Sequence, residues 1–187
     1  MRVVNSKTLW EGKFLKTVLI TYEDRTGALR QWEAVRRRDY SDVVVIIPIT
    51  RRNDLVLIRQ YRPVLDCSVI ELPAGLVEPG EDIIDAGRRE LVEETGLVSD
   101  SISLLSEGVL STGINMEKWR ILIAKNVEEA PEEILRSHPR DDNEDIEVIK
   151  VPLSHVYEAL EEYRLRGDEI DLRIFGLLDL AKRKLHI

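Results

Sequence analysis

Residues 75–97 read GLVEPGEDIIDAGRRELVEETGL, which dictates a short, bounded helix with carboxylates gathered on one side. Pro79-Gly80 is a turn signal. Glu81 and Asp82 follow it with negative charge at a helix start, where the positive end of the dipole favours it. The segment from Asp82 to Thr95 reads as a helix closed by Gly96, a residue suited to a helix C-cap. On helical spacing Ile84, Gly87 and Leu91 share one stripe, which should pack on a core. Glu90, Glu93 and Glu94 stand at i, i+3 and i+4, so their carboxylates converge on the neighbouring stripe.

Three like charges so placed repel unless something neutralises them. One reading is a solvated acidic face. An exposed helix would, however, normally set Lys or Arg four residues after each Glu for support, and this face does not. The other reading is a metal platform, because hard oxygen ligands on one rigid element suit Mg²⁺ or Mn²⁺.

Written as a pattern, the stretch is G-x(5)-E-x(7)-R-E-U-x-E-E-x-G-U, with U a bulky aliphatic, filled at every defined position from Gly75 to Leu97. Average residue usage would produce it by chance on the order of once in a billion starting positions. It resembles the signature of the Nudix hydrolases, enzymes that use divalent metal ions to cleave a diphosphate linked to another moiety. The resemblance implies a Nudix fold: an α/β/α sandwich around a mixed central sheet.

The rest of the chain is compatible with that fold. Its 187 residues allow one domain with an appendage and a substantial core. The residues read as α/β without repeats. Strands are expected at Lys13–Tyr22 and Leu29–Arg37 as an N-terminal antiparallel hairpin, then at Asp42–Thr50, Leu55–Gln60 and Ser68–Leu72. Val43–Ile47 is apolar throughout, as in a strand covered on both faces. Beyond the motif, strands are expected at Ser101–Val109, Trp119–Lys125 and Ile146–Val151, and helices at Leu153–Arg166 and Ile170–Lys184. The polar stretch Glu128–Asp145 reads as a long loop.

Composition narrows the chemistry. A net charge of −8 argues against broad nucleic-acid binding, though not against a phosphate-bearing substrate met through bound metal. No apolar run approaches membrane-spanning length, and MRVVNSKTLW lacks a signal-peptide core. Cys67 alone supplies neither a disulfide framework nor a cysteine-based zinc site, and His138, His155 and His186 are isolated. The expected setting is cytoplasmic.

The resemblance is greatest to the ADP-ribose pyrophosphatase branch, which hydrolyses ADP-ribose to AMP and ribose 5-phosphate. It is carried by EGKFLKTVLITYEDRTGALRQWEAVRR, LIRQYRP at Leu57–Pro63, IELPAGLVEPGE, and EDIEVIKVPL at Glu144–Leu153. In that branch the N-terminal segment forms a small domain exchanged within a homodimer. The implied division is residues 1–38 for dimerisation and base binding, and 39–187 for hydrolysis.

Carried over residue by residue, the resemblance implies metal ligation by Glu90, Glu94 and the Ala74 carbonyl, with Glu93 and Glu81 joining the cluster. Arg89 would orient these carboxylates through its fork. Arg37 and Arg62 are implied diphosphate ligands, Trp32 the adenine platform, Glu33 its neighbour and Phe14 the opposing aromatic. The general base would be Glu144, with Glu93 as the alternative. The branch usually carries Ser-Pro-Gly where this chain has Ser111-Thr112-Gly113, while Glu117 stands where a substrate- or metal-facing carboxylate is expected. The Thr112 departure keeps the reaction and opens the substrate: ADP-ribose, GDP-mannose or another nucleotide sugar. A non-catalytic ADP-ribose-binding regulator is the reading from a different class.

Overall fold

The alternation of apolar side chains along a central strand decides the layering. In this computed structural model, which describes residues 1–40, 42–140 and 145–185, strand β4 (Asp42–Thr50) is buried along Val43–Ile49. Three N-terminal strands precede it, β1 (Arg2–Glu11), β2 (Leu15–Glu23) and β3 (Leu29–Arg37). After it come β5 (Asp54–Arg62), β6 (Cys67–Glu71), β7 (Ala74–Leu76) and the motif helix α1 (Ile83–Thr95). Then follow β8 (Leu97–Val98), β9 (Ser101–Val109), β10 (Lys118–Glu129), α2 (Glu132–Ser137), β11 (Ile146–Pro152), α3 (Val156–Leu165), β12 (Glu169–Ile170) and α4 (Arg173–Leu185).

The main sheet runs β12-β6-β5-β4-β10-β8, with β11 on β5, β7 on β4 and β9 on β10. β4 lies parallel to β10 and antiparallel to β5 and β7, so the sheet is mixed. Successive residues of β4 point to opposite faces. Val45, Ile47 and Ile49 join Val156 and Leu160 of α3 and Ile174 and Leu178 of α4 in one core. Val44 and Ile46 join Ala86 and Leu91 of α1 in the other. The expected α/β/α sandwich is therefore present. Leu91 is fully buried, and truncating such a side chain to alanine typically costs about 2–5 kcal/mol.

Helix α1 lies where its local signals put it. Asp82 caps it by accepting from the Ile84 N–H at 2.8 Å, and Gly96 ends it in the left-handed region at φ 70°. The Ile84–Gly87–Leu91 stripe faces the sheet. A Cβ on Gly87 would fall 2.2 Å from Leu122 Cδ1, so any side chain there would have to displace the buried Leu122 of β10.

Three expectations need correction. The N-terminal hairpin is a three-stranded antiparallel sheet, because Arg2–Glu11 pairs along β2. The stretch from Glu128 is not one long loop: β10 continues to Glu129, where it pairs with β8, and α2 follows. Ala74–Leu76, where no strand was expected, is a strand paired with Val43–Val45.

The N-terminal sheet attaches to the body through the loop after β9. The Val35 N–H donates to the Ile114 carbonyl at 2.7 Å, and the Met116 N–H returns to the Val35 carbonyl at 3.3 Å. Among the described residues no helix is long and apolar enough to cross a membrane.

Candidate active site

The motif helix, β7 and the end of β3 enclose a cleft of about 790 Å³. Its wall on the helix side is organised by Arg89. The guanidinium donates from Nε to Glu81 Oε1 at 2.9 Å and from Nη2 to Glu81 Oε2 at 3.0 Å and the Leu76 carbonyl at 2.9 Å. Nη1 donates to Glu90 Oε1 at 2.7 Å and Glu93 Oε2 at 3.0 Å. All five donors of the fork are thus engaged. The bonds from Arg89 hold the Glu81 carboxyl below its ordinary range, against an opposing push from burial. Reciprocally, the hydrogen bonds with Glu81 raise Arg89 above the ordinary arginine value, so it stays charged.

Two further contacts fix the helix against β7. Glu94, only 3% exposed, accepts from the Ala74 N–H at 2.8 Å. Gly75 lies directly under Glu90, where a Cβ would stand 1.8 Å from the Glu90 carboxyl carbon. The position a side chain would take at Gly75 is therefore occupied by a candidate metal ligand.

The donor set on this wall is all oxygen: Glu81, Glu90, Glu93, Glu94 and the Ala74 carbonyl. It suits a hard divalent cation rather than zinc or copper. With Glu81, Glu90 and Glu93 turned onto Arg89, no three Asp, Glu, His or Cys among the described residues stand close enough to encircle an ion. The residues fit such a cation by chemistry, and the missing Cβ of Gly75 is what lets the Glu90 carboxylate sit on this wall. Three of the carboxylates it would claim, Glu81, Glu90 and Glu93, are those Arg89 now holds.

Opposite, the strand ends contribute cations. Arg37 donates from Nε to Glu117 Oε1 at 2.8 Å, and Arg62 donates from Nε to Glu71 Oε2 at 2.7 Å. Both arginines line the cleft with Arg89, Glu90, Glu93, Ala74 and Gly75. Glu117 itself is buried beneath Arg37, its other oxygen accepting from Asn115 Nδ2 at 2.8 Å. It backs an arginine rather than facing the cleft.

A model of the NUDIX domain family matches residues 39–172 of this chain. The chain belongs to the Nudix family. Among its relatives, the ADP-sugar pyrophosphatase of Mus musculus is 31% identical over 169 residues, covering 85% of this chain and 77% of that protein. The ADP-ribose pyrophosphatase of Saccharomyces cerevisiae is 29% identical over 186 residues, covering 94% and 80%. The solved structure of an ADP compounds hydrolase superposes with a TM-score of 0.79 at 24% identity, covering 99% of this chain and 94% of that one, which shows the shared fold. The chain is thus a Nudix hydrolase, similar to the ADP-ribose pyrophosphatase branch. Nudix hydrolases work with divalent cations.

Not every residue expected at the Nudix site reaches this cleft. Trp32 and Glu33 lie on β3 and Phe14 in the β1–β2 turn, and none of them lines it. Trp32 is 52% exposed and anchored by its Nε1–H to the Gly113 carbonyl at 2.8 Å. Glu33 pairs opposite Leu19, and Phe14 is exposed beside Lys13. The loop at Thr112 keeps its turn without proline, through Ile114 and Asn115 N–H bonds to the Ser111 carbonyl at 2.8 and 2.9 Å. Glu144 lies outside the described residues.

Sequence reasoning also missed residues. Arg140 donates to the carbonyls of Glu93 (3.3 Å), Glu94 (2.9 Å) and Ile146 (2.9 Å). Helix α1 has no basic residue in its own last turn, so Arg140 supplies the cation its C-terminus favours. Trp119, Tyr40 and Arg173 also line the cleft. No spacing in the sequence marks any of them.

Proposed function

We propose that the protein hydrolyses the diphosphate bond of an ADP-sugar with Mg²⁺, and that ADP-ribose, giving AMP and ribose 5-phosphate, is its preferred substrate. One observation carries the reading: Arg89, Glu90 and Glu93 line a single cleft together with Arg37 and Arg62. Oxygen ligands on one side and permanent cations on the other suit a diphosphate bridged by metal. The names of the mouse and yeast relatives support the ADP-sugar class.

In the reaction, water adds across the P–O–P bridge. One phosphorus gains the hydroxyl, and the bridging oxygen leaves with the other phosphate. A divalent cation held by Glu90, Glu94 and the Ala74 carbonyl, with Glu81 and Glu93 beside them, would supply a Lewis acid that activates water and offsets charge on the leaving oxygen. Glu144, with Glu93 as the alternative, accepts the water's proton. Arg37 and Arg62 hold the phosphoryl oxygens, and Arg89 keeps Glu81, Glu90 and Glu93 in register. Trp32 offers its exposed face to the adenine. Glu33 lies on the other face of β3, and Phe14 pairs with Arg38 at the far end of that strand, so neither joins Trp32 within one protomer.

The N-terminal sheet supports a homodimer. All of β1 is exposed, including Val3, Val4, Leu9 and Trp10, while Val18 and Ala34 are the sheet's buried apolar residues. A three-stranded sheet with so little core gains stability by covering such a surface. Residues 1–38 are therefore assigned to dimerisation and base binding.

The test is turnover of ADP-ribose, other ADP-sugars and GDP-mannose by the purified protein in Mg²⁺ and in Mn²⁺, with light scattering for oligomeric state. The highest kcat/KM is expected for ADP-ribose. A higher value for GDP-mannose overturns the substrate, and binding without turnover of any compound overturns the reaction.

A further inference from the structure

Three arginines around the cleft repeat one arrangement. Arg37 is held at Nε by the buried Glu117 at 2.8 Å, and Arg62 at Nε and Nη2 by the buried Glu71 at 2.7 and 2.6 Å. Arg173, at the start of α4, is held at Nε by both oxygens of Asp171, at 2.8 and 2.6 Å. In each case a carboxylate grips the Nε side of the fork. Nη1 of all three arginines has no hydrogen-bond partner among the described residues. The carboxylate thus fixes the guanidinium plane and leaves an outer donor pair for a ligand.

Arg173 is the most constrained of the three. Its guanidinium lies over the Trp119 ring, 4.3 Å from the centroid, and its side chain is 26% exposed against 38% for Arg62 and 40% for Arg37. Glu71 also couples two of the arginines. Its Oε2 is 2.6 Å from Arg62 Nη2, while its Oε1 is 3.9 Å from Arg173 Nη2. Two guanidinium groups therefore share one carboxylate at the edge of the cleft, so two permanent cations are available to a ligand that carries more than one phosphoryl group.

We propose that Arg173 is a substrate-binding residue, the third arginine of a cradle that takes the substrate's diphosphate together with Arg37 and Arg62. The proposal rests on the reading of the substrate as a nucleoside diphosphate compound. It adds a contact from the C-terminal helix, opposite the Nudix motif. A purely structural Arg173 would only brace the turn at Asp171 and cover Trp119.

The experiment compares wild-type protein with Arg173→Gln and Arg173→Lys on whichever diphosphate compound the wild type cleaves best, with melting temperatures recorded alongside. Losing a charge-assisted hydrogen bond is expected to raise KM about tenfold in Arg173→Gln. The kcat should stay within about threefold. Lysine keeps the positive charge but cannot hold Asp171 and reach the phosphate at once, so Arg173→Lys should raise KM by less than Arg173→Gln. An unchanged KM in a folded Arg173→Gln, or a loss confined to kcat, overturns the proposal. If Arg173→Gln does not fold, an unchanged KM in Arg173→Lys overturns it instead. If KM rises on a compound other than an ADP-sugar, the cradle stands and the ADP-ribose reading falls.

Discussion

Arg89 and Glu81 form a two-pronged ion pair across the start of α1, Nε to Oε1 at 2.9 Å and Nη2 to Oε2 at 3.0 Å. Glu81 is in turn tied to the preceding turn, its Oε2 accepting from the Glu78 N–H at 2.9 Å. One arginine therefore couples the turn, the β7 backbone at Leu76 and two further carboxylates of the cleft wall.

Replacing Arg89 by lysine keeps the charge and removes the fork. Lysine has one nitrogen and cannot serve Glu81, Glu90, Glu93 and Leu76 together. The Arg89→Lys variant should fold, melt lower, and lose about a hundredfold in kcat/KM through misplaced carboxylates. Steady-state kinetics beside a thermal melt checks this; activity within about threefold of wild type would remove the organising role from Arg89.

Gly75→Ala is the sharpest test of the β7–α1 contact. The added Cβ would fall 1.8 Å from the Glu90 carboxyl carbon, so the carboxylate must move. Activity should fall about a hundredfold, while circular dichroism shows an intact fold. Cation affinity, titrated separately, should weaken in the same variant.

Trp32→Ala separates a base platform from a packing residue. Trp32 is half exposed and makes one side-chain hydrogen bond, to Gly113, so the melting temperature should change little. Loss of base stacking, worth about 1–3 kcal/mol, should raise KM for an adenine substrate about tenfold or more. An unchanged KM with a lowered melting temperature would assign Trp32 to docking the 111–117 loop instead.

Asp24 predicts a pH signature outside the cleft. Hydrogen bonds from the Thr26 hydroxyl, Arg30 and the Thr26 N–H lower its pKa from 3.8 to about 2. A carboxyl whose folded pKa is depressed stabilises the fold fully above its unfolded value, and that stabilisation is lost as pH falls through the folded value. Asp24→Ala should therefore melt below wild type at neutral pH, with the gap closing between pH 3.8 and about 2. Paired thermal melts across that range check it, and a gap independent of pH would show that ionisation of Asp24 plays no part.

Local signals were legible where the chain itself supplies the partner. Asp82 and Gly96 bound α1 because caps act within a turn or so. The buried run of β4 was readable because burial on both faces leaves no polar position. β1 and β7 were not recognised, since each is a strand by virtue of a neighbour: β1 along β2, and Ala74–Leu76 on Val43–Val45. Propensity carries little of that information.

The candidate site divides in the same way. The sequence by itself determined the Nudix motif: helical periodicity places Arg89, Glu90, Glu93 and Glu94 together, and the turn signal Pro79-Gly80 sets Glu81 just before the helix. Only the tertiary structure decided that Gly75 lies under Glu90, that Glu117 backs Arg37, that Arg140 closes the end of α1, and that Arg173 meets Arg62 on Glu71. Those contacts join residues far apart in the chain, and their geometry follows from how strands and helices pack rather than from any local spacing.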